Sequence, residues 1–104
     1  MNILLTGASG FIGQAINLKL NDHFVRITSR KMINDPSSNK YKKDMSSDED
    51  FSDCLDGIDV VIHTAARVHK MRDKSLNPLK EYMEINCNGT LNLAKQAVKA
   101  GVKR

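Results

Sequence analysis

The sequence predicts an α/β fold in which parallel strands form one sheet and helices cover it. Short apolar runs rich in β-branched residues alternate with longer segments whose apolar residues recur at steps of three and four. The first of these runs, Asn2 to Thr6, leads directly into a glycine-rich turn, Gly7 to Gly13. Because right-handed crossovers through helices join strands in parallel, this order of elements indicates a parallel sheet.

The first half of the chain predicts one helix among three strands. Apolar residues after the glycine turn form a helical face that ends near Asn21 and Asp22. Phe24 to Thr28 alternates apolar and polar residues, which is typical of a strand. The segment Met32 to Lys40 has the composition of a loop, and Tyr41 to Met45 is predicted to be a short edge strand.

The middle of the chain predicts a short helix and a buried strand. Ser46 to Asp50 combines hydroxyls with carboxylates, as helix N-termini do, and predicts a helix that runs through Leu55 and ends at Gly57. Ile58 to Thr64 is the densest β-branched run of the chain. It predicts a parallel strand that is covered on both faces.

The last third predicts one long helix. Asn77 and Pro78 suit its first positions, and Gly101 suits its C-terminal cap. Gly89 costs stability inside a helix, which indicates close packing against a neighbouring backbone. The residues expected to form its apolar face are Leu79, Met83, Cys87, Leu91, Ala94 and Val98.

Composition narrows the class of protein. The chain has 104 residues, 40% of them hydrophobic and 27% charged, which predicts one small globular domain. The net charge is +4 but aromatic residues make up only 5%, so nucleic-acid binding is not expected. No apolar run approaches a membrane span and no leader precedes the first strand, so we expect a cytoplasmic protein without membrane contact. Cys54 and Cys87 lack metal-ligand spacing, and we expect reduced thiols and no metal site.

The glycine turn carries the functional signal. Its spacing is G-x-x-G-x-x-G, between a strand and a helix. Glycines allow a tight turn and a close approach of the backbone to a pyrophosphate, and the N-terminus of the following helix offers free N–H groups and a positive dipole end. The alternative is that the glycines only connect the strand to the helix.

Five motifs together resemble one family. The stretch Thr6 to Gly13 is similar to the nucleotide-binding signature of extended short-chain dehydrogenases/reductases, the NAD-dependent epimerase/dehydratase family. Asp44-Met45, His63 to Ala66, Asn86 and Gly89 to Leu93 match that family in the same order. The likeness is greatest to UDP-sugar 4-epimerases. It implies a Rossmann-like sheet of about four strands, with residues 1–104 as the N-terminal part of an NAD(P)-binding domain.

The resemblance also implies a cofactor site. Its residues would be Gly7, Gly10, Phe11, Ile12 and Gly13 around the pyrophosphate, Asp44 and Met45 at the adenine, Ala65 and Ala66 beneath the ribose, and Asn86 near the strand ends. Structural explanations stand beside these roles. Phe11 and Ile12 could belong to the core, Asp44 could be a solvated turn residue, and the two alanines could be small because a helix packs close to them.

The end of the second strand bears on the choice between NAD and NADP. An acidic residue there would bind the ribose hydroxyls of NAD, whereas an arginine accommodates the 2′-phosphate of NADP. The sequence has Ser29, Arg30 and Lys31 at this place. Arg30 suits a phosphate, but an arginine can also stack on adenine, and epimerases of the resembled kind commonly hold NAD. The cofactor is therefore NAD or NADP.

Two histidines invite a metal or general-base interpretation. His63 ends a buried strand with no second ligand at metal spacing, so a hydrogen-bonded core histidine is the better prediction. The segment Arg67 to His69 follows the carboxyl end of that strand, where ligands bind in open α/β sheets. It could contact a nucleotide sugar or be an ordinary surface loop.

The resembled family uses a Tyr-x-x-x-Lys pair for hydride transfer, and this chain has none. Tyr41 is followed by Lys42 and Lys43, and Asn86 stands four positions after Tyr82. We therefore assign no catalytic residue and expect an inactive fragment: the dinucleotide-binding portion of a nucleotide-sugar epimerase or dehydratase. The alternatives are a regulatory NAD(P)-sensing domain and a mononucleotide-phosphate binder.

The end of the chain suggests a further property. Val102 to Arg104 is similar to the start of another strand. Without that strand, Asp59 to Thr64 would be an open apolar edge, and we expect self-association through it.

Overall fold

The computed structural model describes residues 1–20, 23–66 and 78–104. Three sequence-based predictions lie outside these ranges: the helix end at Asn21 and Asp22, the loop from Arg67 to His69, and the cap at Asn77. In the described part no helix is long and apolar enough to cross a membrane.

Within the described residues, four parallel strands form the sheet. They are β1 (Asn2–Thr6), β2 (Phe24–Ser29), β3 (Lys40–Lys42) and β4 (Val60–His63), in the spatial order β3-β2-β1-β4. The central strand β1 pairs with both β2 and β4. The parallel α/β sheet is therefore confirmed, although β3 is shorter than predicted and begins one residue earlier.

The helices connect the strands as predicted. They are α1 (Phe11–Lys19), α2 (Ser52–Leu55), α3 (Pro78–Tyr82) and α4 (Thr90–Lys99). A π-helical segment, Met83–Gly89, joins α3 to α4, and a 3₁₀ turn, Pro36–Ser38, lies in the predicted loop before β3. The chain is thus helical from residue 78 to residue 99, as the sequence indicated.

The main core lies between the sheet and helices α2 and α4. Phe51, Leu4 and Leu55 are fully buried there. Arg26 of β2 closes one side, because its guanidinium donates to the carbonyl oxygens of Cys54 and Asp56 at 2.9 and 2.8 Å. Among the described residues, the buried cluster is Leu4, Tyr41, Met45, Phe51, Cys54, Leu55, Ile58, Leu93 and Ala97.

The predicted apolar face of the long helix is wrong. Leu79, Met83, Leu91 and Val98 are exposed large hydrophobic residues. The residues that pack inward form a second series at steps of four, namely Ile85, Gly89, Leu93 and Ala97. The π-helical segment has more residues per turn than an α-helix, so a face extrapolated at 3.6 residues per turn does not continue through it.

Gly89 explains why this second series faces the core. A Cβ at Gly89 would lie 2.8 Å from the carbonyl carbon of Met45 and 3.0 Å from the amide nitrogen of Ser46. The helix therefore approaches the backbone after β3 more closely than any side chain would permit. This confirms the predicted close packing at Gly89.

The helix-start prediction for residues 46–50 is also wrong. Helix α2 begins later, at Ser52, and has no side-chain cap at Phe51. The polar residues form a turn instead: Ser46 Oγ donates to Asp48 Oδ1 at 2.8 Å, and Asp50 Oδ1 accepts from the Ser52 amide at 2.9 Å. Short polar side chains bond to nearby backbone as readily in turns as at helix caps, so the same residues suit both.

Among the described residues, strand β4 is an edge strand of the sheet, as expected where no further strand follows it. All four of its residues are half-buried, so the predicted cover on both faces is wrong. The chain after α4 lies beside its first residues: the Val61 amide donates to the Arg104 carbonyl at 2.7 Å, and the Lys103 amide donates to the Asp59 carbonyl at 2.9 Å. The edge is thus covered at its start, and self-association through the rest stays a prediction.

Candidate dinucleotide-binding site

The first glycine of the turn is required by its backbone. Gly7 has φ +68°, in the left-handed region that disfavours residues with a Cβ. A Cβ at this position would also lie 2.7 Å from the amide nitrogen of Ala65 and 2.7 Å from Thr64 Oγ1. The turn therefore presses directly against the chain that leaves β4.

The other two glycines differ from one another. A Cβ at Gly13 would lie 2.0 Å from the Gly7 carbonyl oxygen, so helix α1 could not pack against the turn with any side chain there. Gly10 is exposed, and a Cβ there would meet only the Gly7 oxygen, at 3.3 Å. The packing of the chain itself requires Gly7 and Gly13 more than it requires Gly10.

The N-terminus of α1 suits an anion. Its N-cap, Gly10, makes no side-chain cap hydrogen bond, and its first turn contains no acidic residue. The first amides of a helix have no partner within the helix, and they lie at the positive end of its dipole. Phe11 and Ile12 are 93% and 60% exposed, so the alternative that both belong to the core is wrong.

Thr6 holds the turn in place. It is fully buried at the end of β1, and its hydroxyl oxygen accepts from the amides of Thr64 and Ala65 at 3.1 and 3.2 Å. With both lone pairs used, the hydroxyl proton is donated to His63 Nδ1, at 2.6 Å. Thr64 Oγ1 donates in turn to the Thr6 carbonyl at 2.6 Å. The carboxyl ends of β1 and β4 are thereby fixed to one another.

His63 extends this network to the long helix. Since Nδ1 accepts from Thr6, the ring proton lies on Nε2, which donates to Thr90 Oγ1 at 2.9 Å. Burial lowers the pKa of His63, so the neutral form is favoured. The prediction of a hydrogen-bonded core histidine is confirmed, and the described residues contain no group of three side chains that could hold a metal ion.

The end of β2 lies against the other side of the turn. Ser9 Oγ and Ser29 Oγ are 2.6 Å apart, and the Ala8 amide donates to the Thr28 carbonyl at 3.2 Å. Arg30 and Lys31 follow as exposed residues, without an ion pair to any carboxylate of the described part. Two cations therefore lie at the position where the ribose of a dinucleotide is expected.

The predicted adenine and ribose residues fall into two groups. Asp44 and Ala66 are exposed, whereas Met45 is only 6% exposed and Ala65 packs against the core. The Asp44 amide donates to Glu49 Oε1 at 2.7 Å. Asn86 lies exposed on the π-helical segment. The Met45 side chain thus serves the core, which leaves Asp44 as the residue of this pair that a ligand can reach.

A series of polar residues was missed by sequence reasoning. It follows the long helix at steps of four. Three of its four members bond to the loop after β3, and Asn88 donates to Glu84. The four-residue spacing in the sequence is the signal that could have identified it, because such residues share one helix face. Its members are Glu84, Asn88, Asn92 and Gln96.

An open groove of about 880 Å³ lies beside this series, and it shares no lining residue with the predicted cofactor site. Asp48, Glu49, Asp50, Asp53 and Asp56 all contribute to its walls. Like charges repel, so this acidic groove does not suit the phosphates of a dinucleotide. The glycine turn remains the candidate site.

Comparisons with known proteins agree with this geometry. The model of the "NAD dependent epimerase/dehydratase family" matches residues 3–104. The chain is 42% identical to UDP-glucose 4-epimerase of Vibrio cholerae over 108 residues, which cover 99% of this chain and 33% of the relative. It is 31% identical to dihydroflavonol 4-reductase of Arabidopsis thaliana, covering 98% of this chain and 30% of that protein.

A solved structure gives the same result. MoeE5, in complex with UDP-glucuronic acid and NAD, superposes with a TM-score of 0.79 at 31% identity, over 98% of this chain and 34% of that chain. The chain spans about a third of the length of the curated relatives that it matches. Sequence and fold together show that this chain belongs to the NAD-dependent epimerase/dehydratase family.

Proposed function

We propose that residues 1–104 are the dinucleotide-binding portion of a nucleotide-sugar epimerase or dehydratase, of the UDP-sugar 4-epimerase type. The observation that carries the proposal is the N-terminus of α1. Its N-cap is an exposed glycine, Gly10, it has no side-chain cap hydrogen bond, and its first turn has no acidic residue. Such a helix end binds a pyrophosphate through its backbone amides. Because Gly10 has no side chain, the approach to these amides is open.

The remaining predicted residues complete the site in this proposal. The amides at the start of α1 bind the pyrophosphate, the Asp44 carboxylate binds the adenosine end, and small residues after β4 leave room for the ribose. The proposed set is Gly7, Gly10, Phe11, Ile12, Gly13, Arg30, Asp44, Met45, Ala65, Ala66 and Asn86. Met45 contributes through its backbone, because its side chain is buried.

The chemistry of the whole protein would require more than this chain. A bound nicotinamide would accept and return a hydride, and residues 1–104 would bind and orient the dinucleotide. The Tyr-x-x-x-Lys pair is absent from these 104 residues, so we expect cofactor binding without epimerisation. The higher identity to an epimerase, 42% against 31% for a reductase, favours a UDP-sugar substrate for the whole protein. No observation favours the regulatory alternative.

The choice between NAD and NADP has support on both sides. The solved structure of MoeE5, which is 31% identical to this chain, is a complex with NAD, and this favours NAD. The exposed Arg30 and Lys31 after β2, with no carboxylate among them, favour a 2′-phosphate. Only a direct comparison of the two cofactors decides between them.

The test is calorimetric titration of the chain with NAD, NADH, NADP and NADPH. We expect measurable affinity for at least one pair, and we expect Gly10→Ala to weaken it at least about tenfold, because its Cβ would occupy the place of the pyrophosphate. The unfolding midpoint of Gly10→Ala should stay close to that of the original chain, since the Cβ would meet one atom at 3.3 Å.

Gly101→Ala is the matched control for this titration. Gly101 has φ +82° and nothing within 4 Å of its Cβ position, so alanine strains the backbone far from the turn. This control should lose stability and keep its affinity, the opposite of Gly10→Ala. The proposal is overturned if none of the four dinucleotides binds, or if Gly10→Ala binds them as tightly as the original chain.

A further inference from the structure

We infer that Glu49, held by Asn92 and Gln96 of helix α4, is a positioning residue that sets Asp44 for the adenosine end of the cofactor. The inference rests on the proposed function, in which Asp44 contacts the cofactor. It adds Glu49 and Gln96, which lie outside the motifs that resemble the family, and it gives a role to Asn92, which lies within the Gly89 to Leu93 motif.

Asn92 closes the loop that follows Met45. The two protons of its Nδ2 are donated to two carbonyl oxygens, those of Ser46 and Glu49, both at 2.9 Å. One side chain thus joins two backbone positions that are three residues apart. The loop after Met45 is therefore tied to a helix, which is the more rigid element.

Gln96 fixes the orientation of Asn92. Its Nε2 donates to Asn92 Oδ1 and to the Glu49 carbonyl, each at 2.8 Å. Its Oε1 accepts from the amide of Phe51 at 2.7 Å, and Phe51 is fully buried. In both side-chain amides the nitrogen only donates and the oxygen only accepts, so one orientation of each amide group satisfies the network. The bond to Phe51 anchors this network in the core.

Glu49 transmits this arrangement to Asp44. Its Oε1 accepts from the Asp44 amide at 2.7 Å, and its Oε2 accepts from the Asp50 amide at 3.1 Å. One carboxylate therefore spans both ends of the loop. The Asp44 carboxylate is exposed and makes no hydrogen bond within residues 1–20, 23–66 and 78–104, so it is available to a ligand.

Loss of the Glu49 carboxylate should lower the affinity for the cofactor more than it lowers the stability of the fold. Glu49 lies on an exposed loop, and its loss frees the Asp44 backbone to adopt other conformations. Cofactor binding must then also fix that backbone, which weakens binding by the cost of ordering. Electrostatics alone predicts the opposite change in affinity, because removal of a negative charge near an anionic cofactor strengthens binding. A weaker affinity therefore identifies positioning.

The test compares Glu49→Ala with Glu49→Gln in the 104-residue chain, with NAD and NADP as the probes. Glutamine keeps one acceptor for the Asp44 amide and removes the charge, so we expect it to bind like the original chain or more tightly. Alanine removes the acceptor, and we expect affinity to fall roughly fivefold to tenfold. Hydrogen exchange at the Asp44 amide should accelerate in Glu49→Ala alone.

A double substitution separates positioning from general damage. If Glu49 acts through Asp44, Glu49→Ala should cost no further affinity in a chain that already carries Asp44→Ala. Asn88→Leu is the control for Asn92→Leu, because Asn88 donates to Glu84 and not to the loop backbone. Only Asn92→Leu should weaken binding as Glu49→Ala does.

The outcomes are distinguishable. If the original chain binds neither cofactor, the proposed function fails and this inference fails with it. If the original chain binds and Glu49→Ala binds equally well, or if the two losses with Asp44→Ala are additive, the inference alone is overturned. Unchanged exchange at the Asp44 amide in Glu49→Ala also overturns it.

Discussion

The three glycines of the turn differ in what a side chain would meet. At Gly7 and Gly13 a Cβ would lie 2.7 Å or less from backbone atoms of β4's exit and of the turn itself. At Gly10 the same Cβ would meet one atom at 3.3 Å, and the next two residues are exposed. We therefore call Gly7 and Gly13, where packing leaves no room, the closed end of the turn, and Gly10 with Phe11 and Ile12 its open end.

This difference shows that glycine has two roles in one motif: it allows close packing at some positions and leaves space at another. The closed end uses glycine so that β1, α1 and β4 can approach each other, and the hydrogen bonds of Thr6 join β1 to β4. The open end uses glycine to leave space, and the first backbone amides of α1 receive no side-chain cap hydrogen bond there. Substitutions at the two ends should therefore separate stability from binding.

The largest effect is expected at Gly13. Gly13→Ala would place a Cβ 2.0 Å from the Gly7 oxygen, and only a shift of helix α1 could relieve the contact. We expect a loss of about 3 kcal/mol or more in the free energy of unfolding, measured in urea. Gly57→Ala is the control, since nothing lies within 4 Å of it and its φ of +74° should cost only about 1 kcal/mol. Equal losses in the two variants would contradict a closed end.

Thr6→Val should have the next largest effect. Valine keeps the shape but leaves two amides and His63 Nδ1 without the hydroxyl that they contact in this buried place. We expect a loss of about 2 kcal/mol. Thr28→Val is the matched control: Thr28 is 1% exposed in the neighbouring strand, and its hydroxyl makes no hydrogen bond to the described residues. The closed end would lose its explanation if both substitutions cost the same.

A smaller effect should follow pH. Burial lowers the pKa of His63 in the fold, so the unfolded chain takes up a proton near pH 6.5 before the folded chain does. Stability is therefore present above this pH and falls as the pH drops below it, by at most about 1.4 kcal/mol per unit. Protonation would also place a second proton between Nδ1 and Thr6 Oγ1, where both lone pairs of the hydroxyl are used.

Urea unfolding between pH 7.5 and 5.5 measures this slope. His63→Gln should remove it, and His23→Gln, an exposed histidine, should retain it. The carboxyl groups with lowered pKa, such as Glu84, which accepts hydrogen bonds from the Ser47 amide and hydroxyl and from Asn88, lose their stabilisation at more acidic pH, outside this window. A slope that persists in His63→Gln would assign the pH dependence elsewhere.

Much of the fold could be predicted because its signals are local. Phe24 to Thr28 and the run before His63 have the composition of strands whatever lies around them. The glycine turn is bounded by a strand and a helix in the sequence itself, so its position at the end of β1 follows directly. Gly89 indicated close packing because glycine lowers the stability of a helix, and a close approach to a neighbouring backbone explains its presence.

The remainder depends on contacts that are distant in sequence. Thr6 and His63 are 57 residues apart, and no local pattern shows that a hydroxyl and an imidazole meet. The inward face of the long helix depends on the π-helical segment, which periodicity analysis does not anticipate. Asn92 bonds to a loop 43 and 46 residues away, so its role emerges only once the loop is folded.

The smallest effect on stability is expected at the open end, at Phe11. A phenylalanine in the core costs about 3 to 5 kcal/mol on truncation to alanine, as expected for the fully buried Phe51. Phe11 is 93% exposed at the first position of α1, so Phe11→Ala should change the free energy of unfolding by less than about 0.5 kcal/mol. Its amide remains, so affinity for the dinucleotide should persist as well. A loss of stability comparable to that of Phe51→Ala would show that the open end is packed, and the contrast between the two ends would collapse.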